Sequence, residues 1–302
     1  MAKKKRNKFT NIIEYIPLRI AVWFIDAIPL KVSLGISKGF GNLVWWLLPS
    51  RRKLAINNVL LAGITADKKE AKRIAKKSFI SFSMLTVESL AASKLITPET
   101  FDQYIDVSEV SPEVEKTLKN PDTGVILCSA HLGNWEVSGH AISFWKRLIA
   151  VARTLDNPYA QCLLEKRNTR RNIEIVAKHS ADRGSLLRPL RNGMLLGLIS
   201  DQHATSHRVL IDFMGKPAWT LTSTARLHLA TRCPIVCGVA IRTGFMKFKI
   251  VTTGPFEFEP SDDKEADILK ITQTMNKELE KFIRQYPEQY LWAHKRWRKI
   301  NN

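Results

Sequence analysis

No unbroken run of about 18 apolar residues occurs in the first 50 positions, the minimum for a clean membrane span. Charges at Glu14, Arg19, Asp26, Lys31 and Lys38 interrupt every candidate. The same charges break the apolar core that a secretory leader needs, and no small-residue cleavage site follows. Cysteine is scarce: of four, none forms a CxxC pair, and Cys233 and Cys237 flank a proline without a nearby ligand partner. This excludes a disulfide scaffold or zinc ribbon and predicts buried, reduced thiols in a protein that faces the cytosol. There is no HExxH helix, no internal repeat and no low-complexity segment beyond the first residues. Acidic residues are few, 28 Asp+Glu against 47 Lys+Arg, for a net charge of +19. Such a surface seeks a polyanion: nucleic acid, an anionic bilayer, or a phosphorylated or acidic ligand.

What is present divides the chain into four stretches. Residues 1–50 combine a basic head (Lys3, Lys4, Lys5, Arg6, Lys8) with a region rich in Ile, Leu, Val, Phe and Trp. They read as helices lying in a membrane interface, with Trp23, Trp45 and Trp46 at the boundary; the alternative is a helical hairpin packed on the main domain. Residues 51–96 keep helical spacing (Ile74, Phe79, Phe82, Leu85, Leu90) and read as a helical region on the core. Residues 97–121 form an acidic, proline-punctuated connection. From 122 to 302, strands expected at 124–129, 148–153, 173–177, 194–200, 234–241 and 247–253 alternate with helices at 135–145, 158–171, 184–191, 222–231 and 263–285. The alternation predicts an α/β fold, a mostly parallel sheet flanked by helices, with the last two strands as a hairpin. With 45% hydrophobic residues the chain can bury a large core.

The chemistry concentrates in Gly124-Val125-Ile126-Leu127-Cys128-Ser129-Ala130-His131-Leu132-Gly133-Asn134-Trp135-Glu136. An apolar β-branched run reads as a buried strand, and Asn134 is placed to cap the helix that follows. His131 then stands at the carboxyl end of the strand, the edge where open α/β sheets bind ligands. Glu136 follows five residues later, ~140° away around an ideal helix, so the two meet only if the chain still turns at Gly133. Together they offer general-base catalysis, with a carboxylate fixing the imidazole tautomer. The other reading is a capping histidine and a surface glutamate.

Further polar clusters follow other expected strands. Arg153, Asp156, Asn157 and Pro158 open a helix carrying Lys166, Arg167, Arg170 and Arg171, either a solvated face or a phosphate or acidic-carrier contact. Asp201, Gln202, His203 and His207 occupy a loop, and Asp201 with the two histidines also has the side chains of a metal site. The tail, with Tyr290, Trp292 and the run Lys295 to Lys299 around Trp297, suits base stacking or a bilayer interface.

In this order and spacing the chain resembles the bacterial lipid A biosynthesis late acyltransferases. The marks are Tyr15-Ile16-Pro17-Leu18-Arg19, Arg51-Arg52 with Asn58, His131 with Glu136, and Arg153 with Asp156-Asn157-Pro158. They continue with Asp201-Gln202, the stretch from Phe213 to Ala218 with Thr220, and the stretch from Pro287 to Trp297. Thr154 stands where that family usually has proline. Enzymes acylating phosphatidylinositol mannosides share these motifs. The resemblance implies a fold like that of glycerol-phosphate acyltransferases and attachment to the cytoplasmic face of the inner membrane. It implies an acyl thioester donor, acyl carrier protein or acyl-CoA, and a glycolipid acceptor, with no nucleic acid, metal or cofactor. His131 and Glu136 would be catalytic, while Arg153, Arg170, Asp201, Gln202 and Asn134 would contact substrate, its phosphates or the oxyanion. A thioesterase would turn the same pair on water, and a binding module would leave it idle.

Overall fold

A computed structural model of the chain describes residues 7–152, 155–168, 172–177 and 183–298. Four helices come first: α1 (Lys8–Ala27), α2 (Leu30–Leu47), α3 (Pro49–Leu61) and α4 (Lys68–Leu95). Asp67 starts α4 by accepting from the backbone N–H of Lys69 and Glu70, satisfying donors that a first helical turn leaves orphaned. Then α5 (Phe101–Tyr104), β1 (Ile105–Glu109) and α6 (Pro112–Lys119) lead into β2 (Val125–Ser129) and α7 (Trp135–Ile142). The chain continues through β3 (Leu148–Ala152), α8 (Pro158–Asn168), β4 (Ile173–Ala177), α9 (Arg183–Arg191) and β5 (Leu195–Ile199). A hairpin of β6 (Arg208–Phe213) and β7 (Lys216–Leu221), then α10 (Ser223–Thr231), β8 (Ile235–Gly244), β9 (Lys247–Phe256) and α11 (Lys264–Gln285), complete it.

The strands make one seven-stranded sheet in the order β1-β9-β8-β2-β5-β3-β4. Every neighbouring pair is parallel except β8 and β9, the expected hairpin. Each strand's alternate side chains feed two cores. Ile126, Cys128, Leu196 and Leu198 face α3, α4, α10 and α11, while Val125, Leu127, Leu148 and Leu195 face α6 and α7. The fold class thus matches the reading from sequence. Residues 97–121 are more than a connection, since β1 within them pairs with β9 as the sheet's edge.

Among the described residues no helix is long and apolar enough to cross a membrane. The first two helices are nonetheless unusual in what they leave outside. On α2 the inward face carries the small residues Ser33, Ser37 and Gly41 beside Leu34 and Trp45, with Ser37 and Ser83 each donating a hydroxyl to the other's carbonyl at 2.6 and 2.8 Å. A Cβ on Gly41 would come 2.9 Å from the Ile80 Cα, so only glycine lets α2 and α4 approach this closely. The outward face carries Val32, Ile36, Phe40, Leu43 and Trp46, all exposed at helical spacing. The three tryptophans expected at the boundary divide: Trp23 and Trp46 are each 63% exposed, whereas Trp45 is 1% exposed and stacks edge-on against Phe79 in the core. Cys128, Cys233 and Cys237 are buried free thiols as expected, but Cys162 is exposed.

Candidate functional site

β2 and β5 are adjacent and parallel, with Ser129 opposite Ile199. Each chain leaves the sheet over the next two residues, and the Ser200 N–H still bonds to the Ser129 carbonyl at 3.0 Å. Extending that register sets residue 131 beside residue 201. His131 Nδ1 lies 2.8 Å from Asp201 Oδ1, with side chains 21% and 2% exposed. The carboxylate at Nδ1 is therefore Asp201. Glu136, to which the H-x4-E spacing points, is exposed in the first turn of α7, on the wall of the same cavity that His131 enters. The other ring nitrogen, Nε2, faces the Gln202 side-chain amide at 3.3 Å. The His131 ring stands edge-on to Trp135, 4.9 Å between centroids.

The charges of this pair reinforce each other. Burial opposes the imidazolium, but the charge and hydrogen bond of Asp201 outweigh it and hold the His131 pKa above its ordinary value. Burial likewise pushes the Asp201 carboxyl up, and His131 brings it below the usual range. Burial first, then Asp201, raises the Tyr290 phenol. His294 is held down at about 4 by burial and by the positive charges around it, against the pull of Asp201.

The loop carrying His131 is clamped from behind. Gly133 has φ of +64°, and a Cβ there would lie 2.0 Å from the Ala240 carbonyl oxygen. The Gly133 N–H donates to the Gln289 carbonyl at 3.1 Å, the Asn134 N–H to Ala240 at 2.8 Å, and the Leu291 N–H to the His131 carbonyl at 3.0 Å. Asn134, expected among the substrate contacts, is fully buried. Its Oδ1 accepts from the Val137 N–H at 3.1 Å and its amide donates to Glu88 at 2.9 Å. Glu88, 0% exposed, also pairs with Arg242, whose Nη2 donates to Oε2 at 2.6 Å. Gln289 brackets the Arg242 backbone, accepting from its N–H and donating to its carbonyl, each at 3.0 Å.

Several sequence marks that looked separate converge on this clamp. Asn58 donates to the carbonyls of both Trp292 and His294 at 2.8 Å, and Lys77 pairs with Glu288 at 2.8 Å. Arg296, 2% exposed, donates to the Trp219 carbonyl at 2.6 Å and to Thr220 Oγ1 at 2.7 Å. Trp292 is buried as well. The core of the Trp-basic tail is thus spent inside the protein, where it can stack on neither bases nor lipid. Sequence reading missed the clamp role of Glu88 and Arg242, which carry no motif.

Asn157 starts α8, and its amide donates to the Asn11 carbonyl of α1 at 2.7 Å while Tyr159 packs on Tyr15 at 5.7 Å. Arg153 and Arg170, expected at the phosphates, lie outside the described residues, as do Thr154, Arg171 and the side chains of Lys166 and Arg167. Among the described residues no three His, Cys, Asp or Glu side chains gather as a metal site.

His131, Glu136, Gln202 and His203 line a cavity of about 450 Å³ that continues over the sheet face between α7 and β4. A base with one nitrogen fixed by a carboxylate and the other at such a cavity, beside the Gln202 amide, can take a proton from a bound hydroxyl or water. Comparison with known proteins narrows this. A family model for the bacterial lipid A biosynthesis acyltransferases matches residues 2–299. The lipid A biosynthesis lauroyltransferase of Escherichia coli is 23% identical over 92% of this chain and 89% of its own. The palmitoleoyltransferase of the same organism is 21% identical over 92% and 88%. A lipid A biosynthesis acyltransferase of Haemophilus influenzae is 22% identical over 93% and 89%.

Proposed function

Because this chain belongs to the bacterial lipid A biosynthesis acyltransferase family, we propose that it moves a fatty acyl group from a thioester to a hydroxyl of a phosphorylated lipid A precursor, with His131 as general base. The observation that carries the mechanism is the His131 Nδ1 contact with Asp201 at 2.8 Å, which leaves Nε2 turned to the cavity. Nδ1–H donates to the carboxylate, so the lone pair is on Nε2. There it takes the acceptor's hydroxyl proton as the oxygen attacks the thioester carbonyl. The tetrahedral oxyanion needs a fixed donor, and the Gln202 amide beside Nε2 supplies one. Collapse expels the thiolate, which recovers the proton from the imidazolium, so no acyl-enzyme forms. Asp201 orients the base and stabilises its charged form; Glu136 adds a second negative charge on the cavity wall.

The donor is acyl carrier protein or coenzyme A, and the +19 surface suits an acidic carrier. Arg153 and Arg170 serve the acceptor's phosphates. The protein works at the cytoplasmic face of the inner membrane, held by the outward apolar faces of α1 and α2.

The test supplies a purified acyl-carrier thioester and a lipid A precursor in mixed micelles and weighs the products. A mass gain of one acyl chain, lost in a folded His131→Ala variant by about 10² to 10⁴, is expected. Release of free fatty acid with an unmodified acceptor would instead establish a thioesterase.

A further inference from the structure

A second cavity, of about 570 Å³, opens where α2 meets α4 and the turn between β8 and β9. It shares no lining residue with the cavity that His131 enters. Its inner wall is part of the clamp, Arg242 and Gln289, and its rim carries Lys31, Lys38 and Lys77. Four cations therefore face one carboxylate, Glu288. Two of the cations are already matched. Arg242 pairs with the buried Glu88, and Lys77 holds both Glu288 oxygens, at 2.8 and 2.9 Å. Lys31 and Lys38 have no carboxylate partner among the described residues. Lys31 instead stands 5.8 Å over the ring of Phe245, which is 49% exposed on the β8–β9 turn.

The two lysines are set on their helix with a gap between them. Lys31, Gly35 and Lys38 repeat at i, i+4 and i+7, so they form one stripe about 10.5 Å long. A Cβ at Gly35 would meet nothing within 4 Å, unlike one at Gly41 on the same helix. Glycine weakens a helix interior relative to alanine, and no protein neighbour here requires it. What it leaves is open helix surface between two unmatched ammoniums. We propose that this cavity binds the phosphate of an anionic phospholipid, with Lys31 and Lys38 closing on it from either side of Gly35. The lipid chains then lie along Val32, Ile36 and Phe40, the exposed apolar stripe that borders the lysines. The inference rests on the membrane-attachment reading above and gives that attachment a specific site. Two ammoniums on flexible stems suit a compact anion. The cavity is of ligand size and has room for the glycerol beside the phosphate. A free phosphate would gain nothing from the apolar stripe, whereas a lipid satisfies both halves of the surface.

The experiment titrates the full chain by calorimetry with dihexanoyl phosphatidylglycerol, a soluble short-chain phospholipid, and in parallel with inorganic phosphate. Adsorption to vesicles of long-chain phosphatidylglycerol is measured beside it. Lys31→Ala combined with Lys38→Ala should weaken the short-chain lipid by about 25-fold, each lysine near an anionic lipid contributing about fivefold. Gly35→Gln keeps both lysines and the net charge while filling the gap, and should lose binding as well. That exchange favours the helix, so the variant carries the test alone if the double one misfolds. Inorganic phosphate should bind far more weakly than the lipid; equal affinity would overturn the lipid assignment. Short-chain binding that is absent from the wild type, or unchanged in the folded variants, overturns the site. Binding by the wild type that the variants lose, with no adsorption of the wild type to vesicles, keeps the site and overturns the membrane attachment instead.

Discussion

At His131 the two ring nitrogens have different employments, and the difference predicts a pH profile. In the proposed mechanism the active form is the neutral one, and Asp201 holds the imidazole pKa up against burial. The rate in kcat/KM should therefore rise with pH through a midpoint above ~6.5, the value of a free imidazole. In Asp201→Asn the stabilising charge is gone and burial acts alone, so the midpoint should drop below that of the wild type while the maximal rate falls by about 10² or more. Glu136→Gln should lose less than Asp201→Asn, and the double variant of His131 and Asp201 little more than the worse single one. Stopped assays across the pH range on the wild type, the three single variants and the double variant decide it; a midpoint in Asp201→Asn equal to the wild type's would detach the carboxylate from the base. His131 was legible in the sequence because a strand end followed by a glycine and a cap is a local pattern. Its partner was not, because residues 131 and 201 meet only through the order of β2 and β5, which no local pattern states. For the same reason the cap made by Asn134 was visible, but its bond to Glu88 on α4 was not.

Among the elements, the turn between β2 and α7 is the least replaceable. Gly133→Ala puts a methyl within 2.0 Å of a backbone oxygen in a left-handed conformation, so strain and displacement add. A loss of at least ~2 kcal/mol of stability, or inactivity in a folded protein with a displaced His131, is expected from melts and assays run together. Behind it, Arg242→Ala strands the Glu88 carboxylate in the interior, and breaking such a pair costs about 3–5 kcal/mol. Replacing both by apolar residues of similar volume should recover much of that, which chemical denaturation can read. The strands of the central sheet were legible as short apolar runs buried on both faces. β1 and the β6–β7 hairpin were not. β1 is a half-exposed edge, Ile-Asp-Val-Ser-Glu, and β6 exposes Arg208, Leu210 and Asp212 and buries only Ile211 and Phe213. The hairpin is also turned by Met214 and Gly215, both at positive φ, of which only the glycine announces itself.

For the whole molecule, the outward apolar stripes on α1 and α2 and the excess of positive charge make adsorption to anionic vesicles the expected behaviour. Phe40→Glu with Trp46→Glu should reduce vesicle co-sedimentation by about tenfold or more, given roughly 1 kcal/mol or more for each partly inserted side chain. Salt should weaken binding without abolishing it, because charge and apolar contact both contribute. Unchanged co-sedimentation of the double variant would put the anchor elsewhere. The Asn157–Asn11 tether then has a kinetic consequence. It ties α1 to the same sheet edge from which His131 projects, so with α1 adsorbed as proposed the base would meet a lipid acceptor by lateral diffusion. Turnover should follow the mole fraction of acceptor in the bilayer, falling when inert phospholipid is added at constant total acceptor. A soluble enzyme drawing on bulk solution would show no such surface dilution.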